Sequence, residues 1–355
     1  MQQQRRLASV DAFRGLTVAA MLLVNNAGDW GHVAAPLEHA AWDGCTPTDL
    51  IFPFFLFIVG VSLALSLGPR LEAGVDPALL RRGVLVRALR ILVLGLALHA
   101  VAHWLMHTPT FRPFGVLQRI GICFGVAGLF ALYTSGRTQW LTIVGILVGY
   151  WALMAWGGSL TKEGNLASRL DTALLGRFAY EFDPATGLGH EPEGLLSTIP
   201  AIATALLGLR AGEWLRCNRA SQLWQVGLVF LLVGWAWSFV FPLNKQLWSS
   251  SYVLWSGGFA MLALLIAHML VDLENLPAIG RSFGVNAIAA YAGSWLMVCL
   301  IGALHLGAPL YRNGFAWMTP YTGPYVPSHA FALAVVLVWW VIVRVLDRRG
   351  VYFKV

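Results

Sequence analysis

Charged side chains are the scarcest class in this sequence. Asp, Glu, Lys and Arg make up 12% of its 355 residues, and the acids number only 17. A soluble globular domain carries about a quarter charged residues. At 58% hydrophobic and a mean hydropathy of +0.67, the chain has too little polar surface for a large water-soluble enzyme. Cysteine is rare as well. Cys45, Cys123, Cys217 and Cys299 fall in separate loops and helices, so no disulfide framework is expected. Also missing are an HExxH metal motif, a stretch polar enough for a soluble domain, and a half-to-half repeat. The start, MQQQRRLASVDAFRG, could be mistaken for a signal peptide. Asp11 and Arg14 interrupt its approach to the apolar run, and no A-x-A-like cleavage site follows. Arg5 and Arg6 read instead as a topological anchor.

Long apolar runs are what the sequence has in abundance. A helix needs roughly 20 mostly apolar residues to cross a hydrocarbon core about 30 Å thick. Ten segments qualify, near residues 12–28, 47–68, 84–106, 116–134, 139–157, 195–215, 222–242, 248–271, 283–306 and 327–346. None alternates with the two-residue period of a barrel strand. The expected fold is all-α: a polytopic membrane bundle of about ten transmembrane helices, forming a single domain over 1–355. Gly121/Gly125, Gly145/Gly149 and Gly208/Gly212 have the GxxxG spacing that lets helix backbones approach closely.

Orientation follows from the cations. With the N-terminus inside, 17 Lys and Arg residues fall on the inner side and six on the outer, with Arg119 left within a helix. The positive-inside rule then puts both termini in the cytoplasm. The net charge of +7 needs no nucleic acid to account for it. Eight of the nine histidines fall on the outer half, and only His268 lies near the inner side. The two longest connections, about 29–46 and 158–194, are outer too and hold most of the acids. The second is too long for a simple turn. Its aliphatic and aromatic content predicts an ordered lid with a short helix around 167–178.

Ionisable groups within or beside a span are costly and face the bundle interior. Asp11 and Arg14 share one helical face and can pair. Asn25 and Asn26 end the first span, where their amides either orient a substrate carbonyl or terminate the helix. In HAAWDGCTPTDL, His39 is followed by Trp42, Asp43 and Asp49. Thr46-Pro47-Thr48-Asp49 has the makings of a helix start. Asp49 can equally fix the tautomer of a nearby imidazole and raise its basicity. His99, His103 and His107 form a stripe, but no carboxylate accompanies them on that helix and no metal is expected. Arg81, Arg82, Arg87 and Arg90 crowd one helix start. They are anchors or a phosphate clamp. Arg119, inside a span, requires a specific partner. Glu191 and Glu193 in GHEPEGLLSTIP can take a protonated amine or sugar hydroxyls, or remain solvated.

Taken in order, RLASVDAFRGLTVAAMLLVNN, PLEHAAWDGCTPTDLIFPFFLFIVG, GVLQRIGICF, EPEGLLSTIPAI and FPLNKQLWSSSYVL resemble the heparan-α-glucosaminide N-acetyltransferase family. The similarity runs from Arg6 to about Asn286 and includes the bacterial branch described as N-acetylglucosamine-associated membrane proteins. The resemblance implies acetyl transfer from cytoplasmic acetyl-CoA, as co-substrate, to a glucosamine-type amine across a bacterial inner membrane. His39 matches the family's essential histidine, and Asn25 the asparagine just upstream. Three extra residues separate the two here. Glu191 and Glu193 match acidic positions on the sugar side.

On that resemblance the expected catalytic set is His39, Asn25 and Asp49. Arg81, Arg82, Arg87, Arg90 and Arg119 would hold the CoA phosphates, while Trp42, Asp43, Glu191 and Glu193 would meet the sugar or glycan end. His39 would act as general base or as acetyl acceptor, and Asn25 would donate to the developing oxyanion. A homodimer in the bilayer is the candidate assembly. The rival reading is an amino-sugar transporter without acyl chemistry, and a third is a silent partner of another membrane enzyme.

Overall fold

The computed structural model describes residues 7–353. Arg5, Arg6 and Lys354, counted among the inner cations, lie outside the described residues. Each of the ten expected segments coincides with a helix: α1 (Ala8–Val24), α2 (Ile51–Glu72), α3 (Pro77–Met106), α4 (Val116–Tyr133), α5 (Gly136–Trp156), α7 (Leu195–Arg216), α8 (Ser221–Ser238), α9 (Ser250–Ala267), α11 (Ala287–Ala303) and α14 (Tyr325–Arg348). Shorter helices fill the connections: α6 (Leu166–Leu175), α10 (Arg281–Val285), α12 (Gly307–Gly314) and α13 (Thr319–Thr322). A π-helical turn, His268–Leu273, prolongs α9. Local chemistry sets several starts. Asp76 accepts from Ala78 N ahead of Pro77, and Ser135 accepts from Thr138 N, each satisfying an orphan donor of the first turn.

Among the described residues, seven helices are long and apolar enough to cross a membrane. An eighth arises if α11 and the Gly307–Thr322 stretch, bent by 94°, count as one span. Two of the ten expected segments stand outside this set. At 17 residues, α1 is short and includes Asp11 and Arg14. Two glutamines and three tryptophans dilute the apolar character of α8.

Close packing at the centre rests on small residues. A Cβ at Gly208 of α7 would lie 1.9 Å from the Phe57 carbonyl of α2, and one at Gly60 would lie 1.9 Å from the Ala205 carbonyl. Gly212 also faces α2, and Gly121 faces α3. Gly145 and Gly149 meet nothing within 4 Å, so that match to the spacing has no helix against it. On the other side, α10 lies so near α1 that a Cβ at Gly284 would sit 1.8 Å from the Asp11 carbonyl.

The 158–194 segment is ordered. It contains α6, which starts one residue before the range the sequence predicts, and a hairpin of β1 (Glu181–Asp183) and β2 (Leu188–His190) with Glu181 opposite His190. Asn165 caps α6 by accepting from Ser168 N, and the Ser168 hydroxyl bonds His190 Nδ1 at 2.7 Å. Asn165, Ser168, Asp171, His190 and Glu191 are all buried. The segment is a folded cap over the start of α7.

Candidate active site

The ends of the helices gather two kinds of side chain at opposite ends of one cavity. Its volume is about 1300 Å³, large enough for a nucleotide-sized ligand when typical small-molecule pockets run to about 1,000 Å³. Leu7, Arg14, Thr17, Met21 and Asn25, of α1 and its two caps, all line it. The eighteen residue steps from Leu7 to Asn25 span about 27 Å at a rise of roughly 1.5 Å per residue. Arg14 of α1, Arg87 and Arg90 from the first half of α3, and Arg216 at the end of α7 form the basic end. Asn25, Asn26, His39, Glu193, Lys245 and Tyr291 form the other. Between them the wall is apolar, including Phe55, Ile91, Ile120 and Phe124.

At the His39 end the geometry is dense. Pro47 opens a single 3-10 turn, Pro47–Leu50, and Asp49 sits at its third position in a capping box with Thr46. The buried Asp49 carboxylate accepts from Thr46 N and Ala40 N, both at 3.0 Å. Its other oxygen lies 2.7 Å from His39 Nδ1. A carboxylate only accepts, so Nδ1 carries the proton of this bond and Nε2 is the nitrogen left to exchange one. The helix-start and histidine-orienting readings of Asp49 are therefore compatible, because one oxygen serves each.

Lys245, 206 residues away in sequence, completes the cluster. Its Nζ lies 3.0 Å from His39 Nδ1, 3.3 Å from Nε2 and 3.6 Å from Asp49 Oδ1. Burial holds this ammonium below the ordinary lysine value despite the pull of Asp49 and Glu193. Sequence reasoning did not single out Lys245. The available signal was a lysine, one of three in the chain, on the side that the positive-inside rule leaves poor in cations.

Glu193 lines the cavity and Glu191 lies behind it. Arg112, from the loop before α4, donates to both carboxylates and lies 4.1 Å over the Tyr180 ring. Burial raises Glu191 above the usual carboxylate range even against the Arg112 charge. Burial also opposes ionisation of Glu193, but Arg112, Arg119 and Lys245 hold it below that range. Arg112 also escaped notice as a site residue. Read alone, it is one of six cations that the positive-inside count assigns to the outer side.

Several expected site residues stand elsewhere. Arg81 and Arg82 are exposed on α3 and do not line the cavity, whereas Arg87 and Arg90 do. Arg119, expected at the CoA phosphates, is buried away from the cavity. It donates to the Pro192 carbonyl at 2.9 Å and to the Ser197 hydroxyl, with the Trp248 ring 5.1 Å away. The partner its burial demands is thus the base of the cap. Trp42 donates to the Leu160 carbonyl at 2.9 Å and packs edge-on to His190, while Asp43 accepts from Asn244 at 3.1 Å. Both tie the His39 loop to its neighbours and neither lines the cavity. Asp11 and Arg14 pair at 3.2 Å. His99 bonds the Arg112 carbonyl and His103 the Thr108 hydroxyl, so both are occupied by the following turn.

A family profile described as "Heparan-alpha-glucosaminide N-acetyltransferase, catalytic" matches residues 6–231. Two curated relatives bear the name heparan-alpha-glucosaminide N-acetyltransferase. The Mus musculus protein is 30% identical over 81% of this chain and 53% of its own length. The Homo sapiens protein is 29% identical over 81% of this chain and 52% of its own length. The chain therefore spans about half the length of the curated relatives it matches.

Proposed function

The chain belongs to the heparan-alpha-glucosaminide N-acetyltransferase family, and from that premise we propose that it moves an acetyl group through the membrane. The donor is acetyl-CoA, taken at the basic end of the cavity, and the acceptor is the amine of a glucosamine-type sugar or glycan end. The observation that carries this reading is a single cavity running about 27 Å along α1, close to the roughly 30 Å of a hydrocarbon core. Arginines line one end of it, and His39, held from behind by Asp49, lines the other.

Each residue then has a task. Arg87 and Arg90 hold the anionic nucleotide, for which a planar guanidinium is suited. The acyl thioester reaches His39 through the apolar middle, which excludes water. An amine attacks a thioester only when unprotonated, and His39 Nε2 takes that proton while Asp49 keeps the ring in the required tautomer. Asn25 donates to the oxyanion that forms on the thioester carbonyl. Glu193 holds the incoming ammonium, and Glu191 with Arg112 holds Glu193. We read α1 and α8 as spans too. α8 exposes Leu228, Val229 and Leu232, as a lipid-facing surface would. That gives ten crossings in a single domain, with both termini in the cytoplasm of a bacterial inner membrane.

The test is an acceptor screen on purified protein, with acetyl-CoA as donor, reading thiol release and product mass. Thiol release that requires glucosamine and gives an N-acetylated sugar is the expected result. Passage of unmodified sugar across vesicles without any need for acetyl-CoA would replace this reading with that of a transporter.

A further inference from the structure

Lys245 has no part in the chemistry proposed above, yet it stands where the acceptor must stand. A base accepts a proton from a donor about 2.6–3.2 Å away. The Lys245 ammonium lies 3.3 Å from His39 Nε2, just outside that range, and 3.0 Å from Nδ1, on the wall of the cavity that Arg87 and Arg90 also line. With the Nδ1 proton committed to Asp49, only Nε2 can receive a proton. An incoming ammonium therefore meets a position already held by the protein's own amine.

We propose that Lys245 is itself an acetyl acceptor, so that without sugar the protein acetylates its own Nζ. This inference rests on the acetyl-transfer reading. The ammonium gives one proton to His39 Nε2, and the freed lone pair forms the N–C bond to the thioester carbonyl carbon as the C–S bond breaks. The nitrogen's second proton leaves with the CoA thiolate as the thiol, and His39 returns its proton to water. Burial favours the step, because a desolvated lysine is more readily found as the free amine. The product is a neutral amide beside Asp49, which ends the competition of Lys245 for His39. A sugar amine suppresses the reaction by displacing Lys245 from the ring.

The other outer lysine provides an internal control. Lys162 pairs with Glu181 on the cap, is partly exposed and is not part of the cavity wall. The experiment incubates the full chain with acetyl-CoA, with and without glucosamine, and maps acetylated lysines by peptide mass spectrometry. Sugar product is measured in the same samples. The expected result is one acetyl group on Lys245 and none on Lys162, reduced several-fold by glucosamine. The modification should be lost in both His39→Ala and His39→Gln, each first checked for monodispersity. Sugar acetylation in the sample with glucosamine, with Lys245 unmodified in the sample without it, would overturn this inference alone. Equal modification of Lys162, or modification that persists in both His39 variants, would overturn it as well, marking uncatalysed chemistry. If neither sugar nor lysine is acetylated, the transfer reading falls and this inference falls with it.

Discussion

The two ends of the cavity are both charged, but they are built on different principles. At the His39 end every charge is held by another. Asp49 is fixed by two backbone donors and by His39, Lys245 lies against both, and Arg112 binds Glu191 and Glu193 together. At the basic end the charges are only partly spoken for. Arg216 is paired with Glu72 and Glu213, and Arg14 with Asp11 and the Ser62 hydroxyl. Among the described residues, no carboxylate pairs with Arg87 or Arg90, and Arg87 lies 5.1 Å over the Phe124 ring. Fixed geometry suits a bond-making step, which gains most from groups already in place. Unclaimed guanidiniums suit the capture of an anion, which needs charge more than alignment. The contrast predicts that variants at the first end lower turnover, whereas variants at the second lower affinity.

The largest effect should come from His39→Ala. Loss of a general base costs about 10²- to 10⁴-fold in rate, so kcat for acetyl transfer should fall by that factor with little change in the KM for acetyl-CoA. Thiol-release kinetics on folded protein would measure it. A His39→Ala variant that keeps its kcat would put the reacting atoms somewhere else. Next in size is Arg112→Met, whose expected effect is on stability. Breaking a buried ion pair leaves an unpaired charge at a cost of about 3–5 kcal/mol, and Glu191 is buried with Arg112 as its cation. The cap should open early in thermal unfolding and become sensitive to protease. Arg112→Met with Glu191→Gln should recover part of the loss, since one of the two carboxylates left without Arg112 is then neutral.

Smaller again is the effect expected at the other end. Arg87→Gln and Arg90→Gln should each raise the KM for acetyl-CoA about tenfold, roughly 1.4 kcal/mol of binding, with kcat nearly unchanged. Removal of uniform binding has that signature. The sugar KM should not move. An equal fall in kcat would mean that these arginines position the thioester as well as hold it, and the two ends would no longer divide the work.

How far the sequence foretold this arrangement depends on the range of each interaction. The helices were legible because apolar length is a local property, and α6 was legible for the same reason. Boundaries were less so. α1 begins at Ala8, four residues before the expected start, because the Arg14 charge is absorbed by Asp11, Ser62 and the Gly284 carbonyl. Asp49 was legible as a helix start and as a histidine partner because both neighbours lie within ten residues. Lys245 and Arg112 were not legible, since their partners lie 206 and about 80 residues away and only the fold brings them together. Arg119 misled for a related reason. A buried arginine implies a partner, but backbone carbonyls and a serine of the α7 start fill that role, and no motif announces a carbonyl.

The smallest predicted effect concerns the cap. Burial drives two of its titratable groups, His190 and Asp171, in opposite directions. It lowers His190 from the ordinary histidine value of 6.5 to about 4, and raises Asp171, which accepts from Leu195 N, from 3.8 to about 6. A histidine depressed on folding adds stability above its unfolded value and loses it as pH falls toward 4. An acid raised on folding does the reverse: its contribution is present below 3.8 and disappears as pH rises through about 6. The two slopes overlap and oppose each other, so the His190 and Asp171 contributions should largely cancel between those limits in the unaltered protein. Single variants should unmask them. Asp171→Asn leaves His190 as the titrating member of the pair, and stability should climb with pH across the window. His190→Gln leaves Asp171, and stability should decline. Melting temperatures in lipid nanodiscs across the window would read both signs. Parallel slopes in the two variants would mean that groups outside the cap govern its response to acid, and that the ordered 158–194 segment is held from the cavity side by Arg112 and its two carboxylates.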